Sequence, residues 1–131
     1  MFRCSRPLFN AVARKSSTGI TGLAVHPRPL PVLQETYQNT LQRLSAFPAT
    51  SVYRQATEAL THHKLEILKA ANGDVARVEK ELDEGQIEES LVIAEDEWRL
   101  AGKMLEWKAW EPLEEAPEPG QWEYFGKTTT S

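Results

Sequence analysis

A single cysteine, Cys4, stands in 131 residues. One thiol near the amino terminus leaves the body without a disulfide framework, a Cys-x-x-Cys pair or a thiolate ligand cluster. Long apolar runs are missing as well. Nothing approaches the ~18 consecutive apolar residues of a spanning helix, which excludes direct membrane insertion. Basic clusters are absent beyond the first section of the chain. Arg3, Arg6, Arg14, Lys15 and Arg28 fall in residues 1–30, which hold no acid, whereas the remainder has 10 bases against 19 acids. Phosphate contacts need clustered Lys and Arg, so an acidic body argues against a nucleic-acid surface and suits basic patches on another protein. No segment alternates apolar and polar residues as a half-buried strand does.

Reactive constellations are scarce too. His62-His63 is the one histidine pair, and His62 with Glu66 has a spacing that a helical metal site can use, but zinc needs three or four convergent ligands and no third is evident. His63 reads as a partly buried helix residue and His62 as a surface one. There is no Ser-His-Asp arrangement and no glycine-rich phosphate loop; Gly19 and Gly22 are too few for a dinucleotide turn. The carboxylates at Glu88-Glu89, Glu95-Asp96-Glu97 and Glu114-Glu115 read as solvated charge, since acid-base work needs a carboxyl in a pocket. The expectation is a protein with no catalytic residue, no metal and no cofactor.

What is present is concentrated between Gly85 and Leu113, which holds three of the four tryptophans. Ile87, Leu91, Ala94, Trp98, Ala101 and Leu105 alternate four and three apart and draw one seam along a helix. Leu91, Trp98 and Leu105 are therefore expected in the core. Ile93, Leu100, Met104 and Trp107 form a second apolar flank roughly 120° away at ~100° per residue. Glu88, Glu95, Arg99, Lys103 and Glu106 occupy the remaining side. Asp83 with Gln86 reads as a capping box, and Pro112 as the stop of a helix about two dozen residues long. It reads as the longest element and the one around which the chain is organised.

Residues 1–17 are basic, free of acids and carry Phe2, Leu8, Phe9 and Val12 among their arginines, the composition of a mitochondrial transit peptide cut near Arg14 to Ser17, or else of a basic leader retained as a tail. Residues 18–31 end in His26-Pro27-Arg28-Pro29-Leu30-Pro31 and read as extended chain, its prolines excluding helix. A first helix is predicted from just after Pro31 to about Phe47 through Leu33, Tyr37, Leu41 and Leu44. A second opens at Thr50 or Ser51 and runs to Ala71 through Val52, Ala56, Ala59, Leu60, His63, Ile67 and Leu68. Asp74 caps a short helix bearing Val75, Val78 and Leu82. The predicted fold is all-α: a three-helix bundle over 32–110 with one additional short helix and antiparallel neighbours. Residues 111–131 read as an extended acidic tail whose Trp122, Tyr124 and Phe125 need an apolar place to dock.

The run Gly85-Gln86-x-Glu88-Glu89, then Ala94-Glu95, Lys103-Met104, Glu106-Trp107-Lys108-x-Trp110-Glu111-Pro112-Leu113 and Gln121-Trp122 resembles the alpha-subcomplex subunit 5 family, accessory subunits of mitochondrial NADH:ubiquinone oxidoreductase, respiratory complex I. Thr18-Gly19, Gly22-Leu23-Ala24-Val25, Tyr53-Arg54 and Lys64-Leu65 extend the resemblance over residues 18–122. The resemblance implies a helical, cofactor-free accessory subunit, peripheral on the matrix side of the inner membrane. It would dock on matrix-arm core subunits near the quinone-reducing module and support assembly or stability there. Ile93, Leu100, Met104, Trp107, Trp110, Leu113, Trp122 and Tyr124 are the expected partner interface, because tryptophan and apolar residues off the main seam suit the centre of an interface. The alternative is a Leu-Tyr-Arg-type mitochondrial adaptor that binds acyl carrier protein or iron-sulfur assembly machinery. Val52-Tyr53-Arg54 resembles that triplet, but Val replaces Leu and a full helix precedes it.

Overall fold

A computed structural model describes residues 15–121. They form four helices, α1 (Pro29–Leu44), α2 (Val52–Ala70), α3 (Val75–Leu82) and α4 (Ile87–Glu106), and no strand occurs among the described residues. The fold is all-α, as the sequence predicts.

Helix α1 begins earlier than predicted. Pro29 and Pro31 lie in its first turn, where backbone N–H groups have no partner within the helix, so the missing donors cost nothing and the fixed φ is already helical. The other starts follow capping chemistry. The Ser51 hydroxyl accepts from the Arg54 N–H at 3.4 Å, and Asp74 Oδ1 accepts from the N–H groups of Ala76 and Arg77 at 3.1 and 3.3 Å. Asp83, expected to cap α4, instead closes α3 with φ 54°. Asp tolerates this left-handed conformation better than most residues.

The buried residues fall into two clusters. The first joins Leu33 and Tyr37 at the start of α1, Leu65, Leu68 and Ala71 at the end of α2, Val78 of α3, and Ile87, Leu91 and Ala94 at the start of α4. The second joins Leu44 and Phe47 at the end of α1 to Ala101 of α4, with Tyr53, Met104, Leu105 and Trp110 packed against it. Starts meet starts and ends meet ends, so α1 and α4 run parallel while α2 runs back against α1. The extensive packing is that of α1 on α4 and on α2, with α3 bridging α2 and α4. The organising element is thus α1 rather than the longer α4; its main pairing, with α4, is parallel, while the chain neighbours α1 and α2 are antiparallel as expected.

The inward face of α2 also differs from the prediction. Thr57, Thr61, Leu65 and Leu68 are buried, whereas Val52, Ala56, Ala59, Leu60 and His63 are exposed. Threonine fits the interior because its hydroxyl turns back onto its own helix: Thr61 Oγ1 donates to the Thr57 carbonyl at 2.7 Å, and Thr40 Oγ1 on α1 donates to the Thr36 carbonyl at 2.9 Å. The methyl group is then left for packing.

Candidate partner interface

The motif residues at Gly85–Glu89 each have a structural task at the start of α4. Gly85 takes φ 89°, and a Cβ there would lie 2.3 Å from Glu89 Oε2. That carboxylate occupies the space in order to accept the Gln86 N–H at 2.7 Å, capping the helix. The next free N–H, of Ile87, is donated to Glu79 Oε1 of α3 at 2.8 Å. Gln86 Nε2 donates to the Thr18 carbonyl at 2.7 Å, while its Oε1 accepts from Lys15 Nζ at 2.9 Å. Glu88 turns inward with its side chain only 3% exposed; Oε2 pairs with Lys15 Nζ at 2.5 Å and Oε1 accepts the His26 N–H at 3.3 Å. Burial alone would push the Glu88 carboxyl up. The hydrogen bond and charge of Lys15, with the backbone N–H groups of Glu88 and His26, outweigh it and hold the carboxyl below its usual range.

The motif residues at the other end of α4 close the helix. Lys108 adopts φ 49°, the Ala109 N–H bonds the Met104 carbonyl at 3.2 Å, and the Lys108 N–H bonds the Leu105 carbonyl at 3.3 Å. This crossed pair is a Schellman stop. It ends α4 at Glu106, well before Pro112, and turns the chain back so that Trp110 meets Phe47 edge-on with centroids 5.2 Å apart and planes at 69°. Trp110, expected to face a partner, is half-buried inside the molecule for this reason.

Between those ends the outer side of α4 is left uncovered. Ile93, Leu100 and Trp107 recur every seventh residue and are all exposed, Trp107 by 65%. Seven residues make ~700° of turn, so the three side chains lie in one line. Val92 beside Ile93 is exposed too and was missed, because it falls on neither apolar row of the sequence. The neighbouring charges neutralise one another: Arg99 pairs with Glu95 and Asp96 at 3.2 Å each, and Lys103 with Glu106 at 2.8 Å. Exposed pairs of this kind contribute little to stability, but they leave an apolar stripe with a charge-balanced border. Met104 is half-buried on the second core cluster, Leu113 is exposed, and Trp122 and Tyr124 lie outside the described residues.

Of the expected core residues, Leu91 is buried and Leu105 is half-buried against the second cluster. Trp98 is half-buried rather than enclosed. Its ring face is covered by the Arg43 guanidinium, whose Cζ lies 3.6 Å from the ring centroid. The same guanidinium donates from Nη1 to the Trp98 carbonyl at 2.7 Å, and the missing side chain of Gly102 makes its space: a Cβ there would stand 2.8 Å from Nη1. Sequence reading missed Arg43 because nothing links it to Trp98 before the helices are paired.

In the Val52-Tyr53-Arg54 triplet Val52 is exposed, while Tyr53 and Arg54 are occupied internally. Tyr53 donates its hydroxyl to Glu97 of α4 at 2.5 Å, so burial and that hydrogen bond raise its phenol far above the usual range. Arg54 pairs with Glu58 at 2.8 Å and donates to the Phe47 carbonyl at 2.5 Å. Neither side chain is presented to a partner as an adaptor triplet would require. His62 and His63 are both exposed, and among the described residues no group of three His, Cys, Asp or Glu side chains is placed to hold a metal. A shallow groove of about 320 Å³ between α1 and α4 is lined by Thr36, Asn39, Glu95, Trp98 and Arg99. Its two charged groups are already paired with each other. No described helix is long and apolar enough to cross a membrane.

Residues 22–89 match a family model described as "ETC complex I subunit conserved region". The chain is 46% identical over 111 residues to the "NADH dehydrogenase [ubiquinone] 1 alpha subcomplex subunit MCI4" of Candida albicans, a match spanning 84% of this chain and 79% of that protein. It is 44% identical over 110 residues to the "NADH dehydrogenase [ubiquinone] 1 alpha subcomplex subunit 5" of Bos taurus, spanning 84% of this chain and 94% of that one. A probable mitochondrial alpha subcomplex subunit 5 of Arabidopsis thaliana is 42% identical over 105 residues, 80% of this chain and 60% of its own length. With matches of this extent and identity, the chain belongs to the alpha-subcomplex subunit 5 family of mitochondrial NADH:ubiquinone oxidoreductase.

Proposed function

We propose that this protein is a non-catalytic accessory subunit of respiratory complex I, held peripherally on the matrix side of the inner membrane. It docks on matrix-arm subunits near the quinone-reducing module through the outer face of α4. The observation that carries this reading is the line of Ile93, Leu100 and Trp107, an apolar stripe that the bundle itself leaves uncovered. A tryptophan with aliphatic neighbours is the composition of an interface core. The role is structural: covering that stripe stabilises the arm or its assembly, and the protein supplies no reacting group. Its half-buried Glu84 and buried Glu88 are paired with Lys64 and Lys15, which supports a scaffold rather than an acid-base site.

The test is native electrophoresis of mitochondrial membranes containing the tagged full chain, with an in-gel NADH dehydrogenase stain. The chain should co-migrate with the active high-mass band, and deletion should deplete that band. Leu100→Glu and Trp107→Ala should shift the tagged chain to the free fraction while its isolated melting temperature stays within a few degrees. Migration as a free species with the active band intact in the deletion strain would overturn the proposal.

A further inference from the structure

Composition alone puts Lys15 in the leader, because residues 1–30 read as a basic, acid-free block. The contacts put it elsewhere. Its ammonium lies 2.5 Å from Glu88 Oε2, 2.9 Å from Gln86 Oε1 and 3.8 Å from Glu79 Oε1, so one cation serves the N-terminus of α4 and the side of α3 together. The chain that follows is fastened to the same place. Thr18 is buried, its hydroxyl donates to the Leu23 carbonyl at 2.6 Å, and its own carbonyl accepts from Gln86 Nε2 at 2.7 Å. The His26 N–H closes the segment onto Glu88 Oε1 at 3.3 Å.

From this arrangement we infer that Lys15 belongs to the folded body, and that removal of the basic leader cuts no later than the Arg14–Lys15 bond. Hydrolysis of that amide adds the hydroxyl of water to the Arg14 carbonyl carbon and leaves Lys15 as a free amine, with its side chain still in the carboxylate cage. Cleavage one bond later has a different result. Glu88, buried and ionised, loses the only cation paired with it among the described residues. The new α-ammonium of Ser16 would stand at the opposite end of the lysyl residue from the ammonium it replaces. A buried carboxylate that keeps its backbone donors but loses its counter-charge is strongly destabilised, so a chain beginning at Ser16 has a loosened N-terminal segment. This narrows the cleavage window of Arg14 to Ser17 to its first bond or upstream of it, and it holds whether or not the chain assembles into a larger complex.

The experiment recovers the full chain, tagged at its carboxyl end, from mitochondria and identifies its N-terminus by amine labelling and mass spectrometry. An N-terminus at Lys15 or upstream is expected; one at Ser16 or beyond overturns the inference. In parallel, full-length Lys15→Ala, Lys15→Arg and Ser16→Ala are compared by limited proteolysis of residues 16–28. Lys15→Ala should be cut roughly tenfold faster than the unmodified chain, with Lys15→Arg and Ser16→Ala close to it, because local opening governs such cleavage. If Lys15→Ala is cut no faster than Ser16→Ala, the cage does not hold the segment and the inference fails.

Discussion

The Arg43 guanidinium lies over the Trp98 ring, its Cζ 3.6 Å from the centroid, and donates to the carbonyl of the same residue at 2.7 Å, so a single side chain binds the end of α1 to both the ring and the backbone of α4. Because the ring is half-buried, Trp98→Ala should cost about 2 kcal/mol, less than the ~3–5 kcal/mol of a fully enclosed aromatic residue. Arg43→Ala should cost about 1 kcal/mol, and a double-mutant cycle by urea denaturation should give a coupling of ~1 kcal/mol. A coupling near zero would mean that the two side chains are merely adjacent.

Gly102→Ala provides an independent check. In a helix interior this change ordinarily stabilises by about 1 kcal/mol. Here the new methyl group would displace Arg43 Nη1, so the gain should be cancelled, and in the Gly102→Ala background Arg43→Ala should become nearly neutral. A full gain with undiminished coupling would show that the guanidinium has room to spare.

Acid should act through Glu88. Its carboxyl is held below the usual range, so over part of the acidic region the folded protein binds fewer protons there than the unfolded chain does. The stability it confers is therefore complete above the unfolded carboxylate range and is lost as pH falls through the lower, folded-state value. Glu88→Gln should cost about 2 kcal/mol at neutral pH and flatten the stability profile in that window. Thermal melts from neutral pH down to pH 3 would show it; an unchanged slope in the variant would assign the acid lability to other groups.

At the C-terminal turn of α4, Lys108 holds a left-handed conformation with a side chain that disfavours it. Lys108→Gly should stabilise the isolated protein by about 1 kcal/mol. Trp110→Ala should destabilise it by ~1–2 kcal/mol, since the edge-on pair with Phe47 is lost. Trp107→Ala, at an exposed position on the same turn, should change the melting temperature by no more than a degree or two. If Trp107→Ala and Trp110→Ala destabilise equally, the assignment of one ring to the surface and the other to the interior is wrong.

The four helices and the inward face of α1 are legible in the sequence, because Leu33, Tyr37 and Leu44 fall at helical spacing and Pro, Ser and Asp punctuate the chain. The face of α2 is not. Leu60 outranks Thr61 on any hydrophobicity scale, yet Thr61 is inside and Leu60 is 54% exposed. A hydroxyl that bonds its own helix removes the polar penalty such scales assign to threonine. Pro112 is a conspicuous stop and points to a later end of α4 than Glu106, whereas Lys108 in a left-handed conformation has no such signature. The outer stripe is legible as a periodicity, and what the fold adds is that Met104 turns from it onto the second core cluster, where Trp110 also packs.

The parallel pairing of α1 with α4 has a kinetic consequence. Arg43 and Trp98 are 55 residues apart in the chain, so the most extensive helix pair can form only after the ends of a long intervening section have met. In an up-and-down bundle each helix finds its partner across a short turn. Here α2 and α3 must fold back first, or a large closure entropy must be met before the central pair gives any return. Refolding should accordingly be slower than for a helical bundle of equal size built on neighbouring hairpins. The late-forming contacts should be those of α1 with α4, which would leave the apolar side of α4 exposed to other chains during synthesis and import.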